Sequence, residues 1–164
     1  MRNLIIAIAL LLSVNTYCQN NVAVQVSQDM KLALASDDYG NDPFTLDVTG
    51  KIGYHIHSEG YDYMQLYGQH ERAELAGGLY TRSAFGVGYG FRVWKLEFVP
   101  SLNVGFINRK GESYDSMELQ GELHFIVSKH FNVFVLGTYT DRTDIGIWRA
   151  NSSIGIKYHL FRTD

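Results

Sequence analysis

With 164 residues, 46% of them hydrophobic and 13% aromatic, the chain suffices for one packed domain and is too apolar to be disordered. A formal net charge of -3 leaves no basic footprint for nucleic acid, and the single cysteine, Cys18, excludes an internal disulfide. Two prolines against sixteen glycines point to a sheet protein with many tight reversals.

Arg2, the apolar run from Leu4 to Leu12 and the stretch Ser13 to Cys18 have the layout of a secretory signal. Cleavage is expected before Gln19, which makes residues 1–18 a signal peptide and residues 19–164 a single domain. The apolar run is too short for a membrane-spanning helix, which needs about 20 residues. A lipoprotein signal that lipidates Cys18 is the second reading, although Asn15 and Tyr17 stand where such signals want small or leucine-like residues. No later stretch could cross a bilayer as a helix, so if the protein sits in a membrane it must do so as a closed barrel.

From Val22 onward the chain alternates with period two, the signature of strands with one apolar and one polar face. The first strand is expected over Val22 to Ala35, followed by a turn-forming cluster, Ser36 to Pro43. The second carries Leu46, Val48, Ile52, Tyr54 and Ile56 on one face and ends at His57, before a short turn at Ser58 to Gly60. The third runs from Tyr61 to Leu75. Leu75 to Gly78 then reverses the chain into the fourth, Leu79 to Val93, where Phe85, Val87, Tyr89 and Phe91 oppose Arg82, Gly86, Gly88 and Gly90.

Trp94 and Lys95 predict a tight reversal into the fifth strand, Leu96 to Ile107, and Asn108 to Ser113 reads as a polar loop. Tyr114 to Val127 is the sixth strand and Ser128 to His130 a turn. Phe131 to Thr140 is the seventh, with both faces apolar around Val133, Phe134, Val135 and Leu136. After a loop at Asp141 to Ile147, the last strand closes against the first. In it Ile154, Ile156, Tyr158 and Leu160 oppose Ser153, Gly155, Lys157 and His159. The fold class is therefore all-β, an eight-stranded antiparallel up-and-down barrel.

Alternation alone does not say which face is inside. If Glu74 faces Leu79, then Glu71 falls opposite Arg82, Tyr67 opposite Gly86 and Tyr63 opposite Gly90, so charges meet charges and rings meet glycines on the polar face. Similar registers set Asp29 against Lys51 and Arg92 against Glu97. On a wet surface such pairs gain little, whereas in a narrow enclosed lumen an unpaired charge costs several kcal/mol. The polar face is thus read as the inside. Its charge network is expected to comprise Asp29, Lys51, Glu71, Arg82, Arg92, Glu97, Glu118, Glu122 and Lys157. An eight-stranded lumen is just wide enough to be filled by such side chains. The loops give a second argument: turns at one end are all short, while three of the four at the other, Ser36 to Pro43, Asn108 to Ser113 and Asp141 to Ile147, are longer, with Leu75 to Gly78 the exception.

The signal layout, the eight strands, Gly-Val-Gly-Tyr-Gly-Phe at Gly86 to Phe91, and the ending Gly155 to Phe161 resemble the small outer-membrane β-barrels of Gram-negative bacteria, the OmpX and OmpA transmembrane-domain type. The resemblance covers essentially all of residues 19–164. It implies residence in the cell outer membrane among its lipids and lipopolysaccharide. It further implies insertion by the barrel assembly machinery through a signal at Gly155, Tyr158, Leu160 and Phe161, a monomeric state, and no cofactor. Arg162 to Asp164 after the phenylalanine depart from the pattern. Trp94, Tyr114, Phe131 and Trp148 near strand ends suit the aromatic girdles of such barrels.

Two other chemistries have partial signals in the chain. His55 and His57 share a face as a metal pair can, with Glu59 nearby, but the later histidine of a cupin-type site has no matching motif, so no metal is expected. Enzymes of the outer membrane that trim lipid acyl chains use a histidine, a serine and a carboxylate. Here His70, Ser83 and Glu74 would be neighbours on the apolar face near one rim. The His-x-Ser arrangement of the deacylases is missing, so no catalytic residue is assigned and the protein is read as a non-enzyme with an envelope structural or surface-interaction role. A soluble lipocalin-like barrel binding an apolar ligand, with the faces inverted, is the main alternative, and a small pore a further one.

Overall fold

A computed structural model describes residues 21–35, 40–57 and 62–160. The signal segment with Cys18 lies outside them, as do Glu59, Tyr61 and Phe161. The described elements are β1 (Asn21–Asp29), α1 (Met30–Leu34), β2 (Asp47–His57), β3 (Tyr63–Leu75), β4 (Gly78–Val93), β5 (Leu96–Arg109), β6 (Glu112–Ile126), β7 (Phe131–Arg142) and β8 (Ile147–His159). Consecutive strands pair antiparallel throughout, and β8 closes on β1. Closure leaves no sheet edge, so every strand has a ladder partner on both sides.

The β3–β4 register is the one that sets Glu71 opposite Arg82, Tyr67 opposite Gly86 and Tyr63 opposite Gly90. Arg92 likewise stands opposite Glu97. The first hairpin differs. Lys51 pairs with Gln25 rather than Asp29, and Asp29 is joined to Ser153 on the other side. The cause is that β1 stops at Asp29 instead of running to Ala35. Asp29 caps a single helical turn, accepting a hydrogen bond from the Leu32 amide at 2.9 Å. Met30 to Leu34 holds only good helix formers and no β-branched residue, so the alternation of Met30, Leu32 and Leu34 did not decide its conformation.

The hairpins are tighter than the sequence suggests. The expected loop at Asn108 to Ser113 is a turn made by Lys110 and Gly111, both left-handed with φ of 53° and 84°, and Asn108 still pairs with Ser113. The expected loop at Asp141 to Ile147 shrinks similarly, because Asp141 and Arg142 pair with Trp148 and Ile147. At that end of the barrel only the β1–β2 connection, residues 30–46, is long. At the other end Trp94 takes up the left-handed conformation in the two-residue turn, φ 56°, and its carbonyl accepts from Arg92 Nε at 2.9 Å.

The chain buries its charges and exposes its hydrocarbon. Arg82, Glu122 and Lys157 are 0% exposed while Phe85 is 78% and Val104 59% exposed. This distribution contradicts the lipocalin-like alternative, whose lumen would be apolar. Side chains fill the interior apart from a cavity of about 20 Å³, enough for a water, lined by Asp29, Asp47, Glu71 and Glu118 among others. Two tyrosine rings pack where Gly86 and Gly90 lack a side chain, Tyr67 over the first and Tyr63 over the second. In the seventh strand, Phe134 and Leu136 turn inward at 2% and 4% exposure, which answers why both of its faces are apolar. A Cβ on Gly155 would run into the Val26 carbonyl oxygen of β1 and lie 2.6 Å from the Phe134 ring, so strand closure and lumen packing together require glycine there.

Candidate functional site

The inward side chains assemble into three ion pairs, each joining strands that are not neighbours in the barrel. Lys51 on β2 reaches across the lumen to Glu122 on β6, donates to Gln120 Oε1 at 2.8 Å, and lies 4.0 Å over the Tyr67 ring. The other oxygen of Glu122 meets His124 Nε2 at 2.8 Å and accepts from Gln25 Nε2 at 3.3 Å. Arg82 on β4 bonds Glu118 Oε1 at 3.2 Å and Ser116 Oγ at 2.8 Å, and also donates to Asn103. Lys157 on β8 sits 2.9 Å from Glu97 Oε1 and 3.0 Å from the Tyr63 hydroxyl, which itself donates to Glu97 at 2.7 Å. Removing one partner of such a fully enclosed pair costs about 3–5 kcal/mol, because a bare charge is left behind.

Gln120, which accepts from Lys51 and donates to Glu118, joins the first two pairs into one network, while Lys157, Glu97 and Tyr63 bond among themselves. Glu118 also accepts from Gln69 at 3.1 Å and Asn103 at 2.9 Å, and from Thr140. Of the residues expected in the network, Lys51, Arg82, Glu97, Glu118, Glu122 and Lys157 make up the three pairs. Glu71 is also inside, accepting from the Tyr80 hydroxyl at 3.4 Å, while Arg82 has Glu118 rather than its cross-strand neighbour as ion-pair partner. Asp29 is buried but serves as the helix cap, which corrects its expected pairing with Lys51. Arg92 is half-buried at the rim beside Trp94. Gly155 faces inward, and Tyr158 and Leu160 face outward at 49% and 46% exposure.

A cluster missed in the sequence sits in the β7–β8 turn. Asp144 accepts from Arg142 Nε and Nη2, both at 2.8 Å, and from Arg109 Nη1 at 3.2 Å. Burial alone would raise the Asp144 carboxyl, but the hydrogen bonds and charges of Arg142 and Arg109 outweigh it and hold the group below its ordinary range. Arg142 also stacks 4.3 Å over the Tyr80 ring. The sequence signal is weak because Asp141 to Ile147 reads as an open polar loop.

The histidines serve packing. His55 stacks on Tyr63 with ring centroids 4.4 Å apart, and His159 has Asn21 and Asn132 at its two ring nitrogens, 2.6 and 3.4 Å away. Outside the barrel, His70 Nδ1 lies 2.9 Å from Ser83 Oγ. Glu74 does not complete a triad, because it is paired with Arg72 at 3.3 Å. Ser83 lies within unbroken ladders to His70 and Phe106, so the nearby amides serve the sheet rather than an oxyanion.

No protein-family model and no curated protein matches this chain in sequence. Solved structures do match. The backbone of the outer membrane protein Ail of Yersinia pestis in a phospholipid nanodisc superimposes with a TM-score of 0.60 at 15% identity, covering 87% of this chain and 99% of that one. The chain has the fold of the small eight-stranded outer-membrane barrels. Weaker matches are the crystal structure of Yersinia pestis Ail (TM-score 0.48, 12% identity, 87% and 99% covered) and Neisserial surface protein A (0.46, 12%, 85% and 96%). In this barrel fold, strands rather than helices carry the apolar surface.

Proposed function

We propose that the protein is a non-enzymatic integral barrel of the cell outer membrane, with an envelope structural or surface-interaction role and a lumen closed by its own side chains. One observation carries this reading: fully buried ion pairs inside a wall whose outward residues are Phe85, Val104, Leu119, Leu123 and Ile156. Only an apolar surrounding makes that wall favourable, and only a closed barrel satisfies its backbone there. Lipids and lipopolysaccharide are then the surrounding partners. The assembly machinery would read the Gly155, Tyr158, Leu160 and Phe161 pattern. With three tight turns at the β1–β2 end, any surface contact falls mainly to residues 30–46.

Membrane fractionation with heat-modifiable gel mobility tests the placement. A protein recovered soluble without detergent would sink it. Unchanged lipid A mass spectra on overexpression are expected of a non-enzyme, and stable single-channel conductance would contradict the filled lumen.

A further inference from the structure

On the outward wall His70 and Ser83 form a hydrogen-bonded polar pair that the barrel's closure does not require. His70 and Ser83 are register neighbours on β3 and β4, both exposed, and bonded to each other at 2.9 Å. Immediately beneath them the wall is notched. Gly50 stands opposite His70, and Gly68 lies between Ile52 and Phe85, so two diagonal neighbours lack side chains. The result is a groove of about 500 Å³ with Val24, Val26, Ile52 and Phe85 along its sides and His70 and Ser83 at its head. Arg72, two residues beyond His70 on the same face, adds a cation above the pair; it is ion-paired with Glu74 at 3.3 Å, but both side chains are well exposed, at 62% and 72%, so the guanidinium keeps donors for a second anion.

A second glycine notch gives the contrast. Gly121 and Gly137 are register neighbours on the opposite wall, with Leu119 and Tyr139 directly above them and Ser152 beside Gly137, so that notch has hydroxyls but no histidine or arginine among its register neighbours. Of the two, the first groove combines a hydrocarbon channel with hydrogen-bond donors and a cation at one end. An acyl chain fits the channel, and a phosphate fits the head, since Arg72 can donate to its oxygens together with whichever of Ser83 and His70 is the acceptor in their mutual bond.

We propose that this groove seats one acyl chain of a phosphate-bearing membrane lipid, with its phosphate held by Arg72 and the bonded pair of Ser83 and His70. The assignment rests on the membrane placement proposed above. The pair binds and does not cleave, because nothing orients His70 as a base and the sheet occupies the amides around Ser83.

The test uses the barrel in phosphatidylcholine nanodiscs doped with phosphatidic acid bearing a photoactivatable acyl chain. A diacylglycerol with the same chain is the control. Labelling at Val24, Ile52 and Phe85 is expected to exceed that at Leu102 and Val135 about fivefold, the ratio one retained hydrogen bond gives. Gly68→Leu should level the two walls. Its new side chain points outward, with the Cβ 3.5 Å from Phe85, an ordinary contact, so the barrel should still form. Ser83→Ala combined with Arg72→Gln should abolish the preference for phosphatidic acid over diacylglycerol. Equal labelling of both walls, no preference in the wild-type protein, or no effect of Gly68→Leu overturns the proposal alone. Failure to insert, read as absent heat-modifiable mobility, overturns the membrane placement and the lipid seat together.

Discussion

The two faces of the same strands obey different rules. On β4, the inward residues Arg82, Gly86 and Gly90 each answer a particular partner: Glu118, the Tyr67 ring and the Tyr63 ring. The outward residues Phe85, Val87, Tyr89 and Phe91, interleaved with them along the same backbone, need only be apolar. The inside is specified by pairing and volume, the outside by composition. A substitution that conserves hydrophobicity should therefore pass unnoticed outside, while an equally conservative change inside should not.

The largest effect is expected from Glu122→Ala, which strands Lys51 in the lumen. Urea unfolding of the detergent-refolded barrel should show a loss of about 3–5 kcal/mol. The double variant Lys51→Met with Glu122→Leu should recover most of that, since a packed apolar pair is often neutral relative to a buried ion pair. If the double variant is no better than the single, pairing is not what specifies the inside.

On the outer face, Leu119→Arg should cost about 2–4 kcal/mol if it lies near the bilayer midplane, whereas Leu119→Ile should stay below about 1.5 kcal/mol. Equal tolerance of both in lipid vesicles would break the contrast between the faces. Next in size is Gly90→Val, which has to displace the Tyr63 ring from beneath Lys157 and should cost about 1–3 kcal/mol by overpacking. Gly137→Val, facing outward with 3.9 Å of clearance, should be near neutral in the same assay.

The smallest effect concerns the far turn. The carboxyl of Asp144 is held below the value of about 3.9 that it has in an unfolded chain, so its contribution is complete above that value. It is lost as pH falls through the lowered folded value. Asp144→Asn should remove that acid-sensitive component and cost less than about 1 kcal/mol at neutral pH, read as a flatter stability profile below pH 4. An unchanged profile would mean the Arg109 and Arg142 contacts carry no weight in solution.

The sequence by itself determined the strand number, the meander and which face is inside, because period-two alternation and the opposition of rings to glycines are local facts. It also determined the β3–β4 register, where a short turn leaves little freedom. It could not determine where β1 ends, because Met30, Leu32 and Leu34 satisfy both an alternating strand and a helical turn, and only the capping of Leu32 by Asp29 chooses. Nor could it pair the charges. Lys51 with Glu122, and Lys157 with Glu97, are neighbours across the lumen rather than along a hairpin, 71 and 60 residues apart. Such contacts exist only once β8 has closed on β1, since closure brings distant strands within reach of one another and shuts out the water that would otherwise solvate each charge alone.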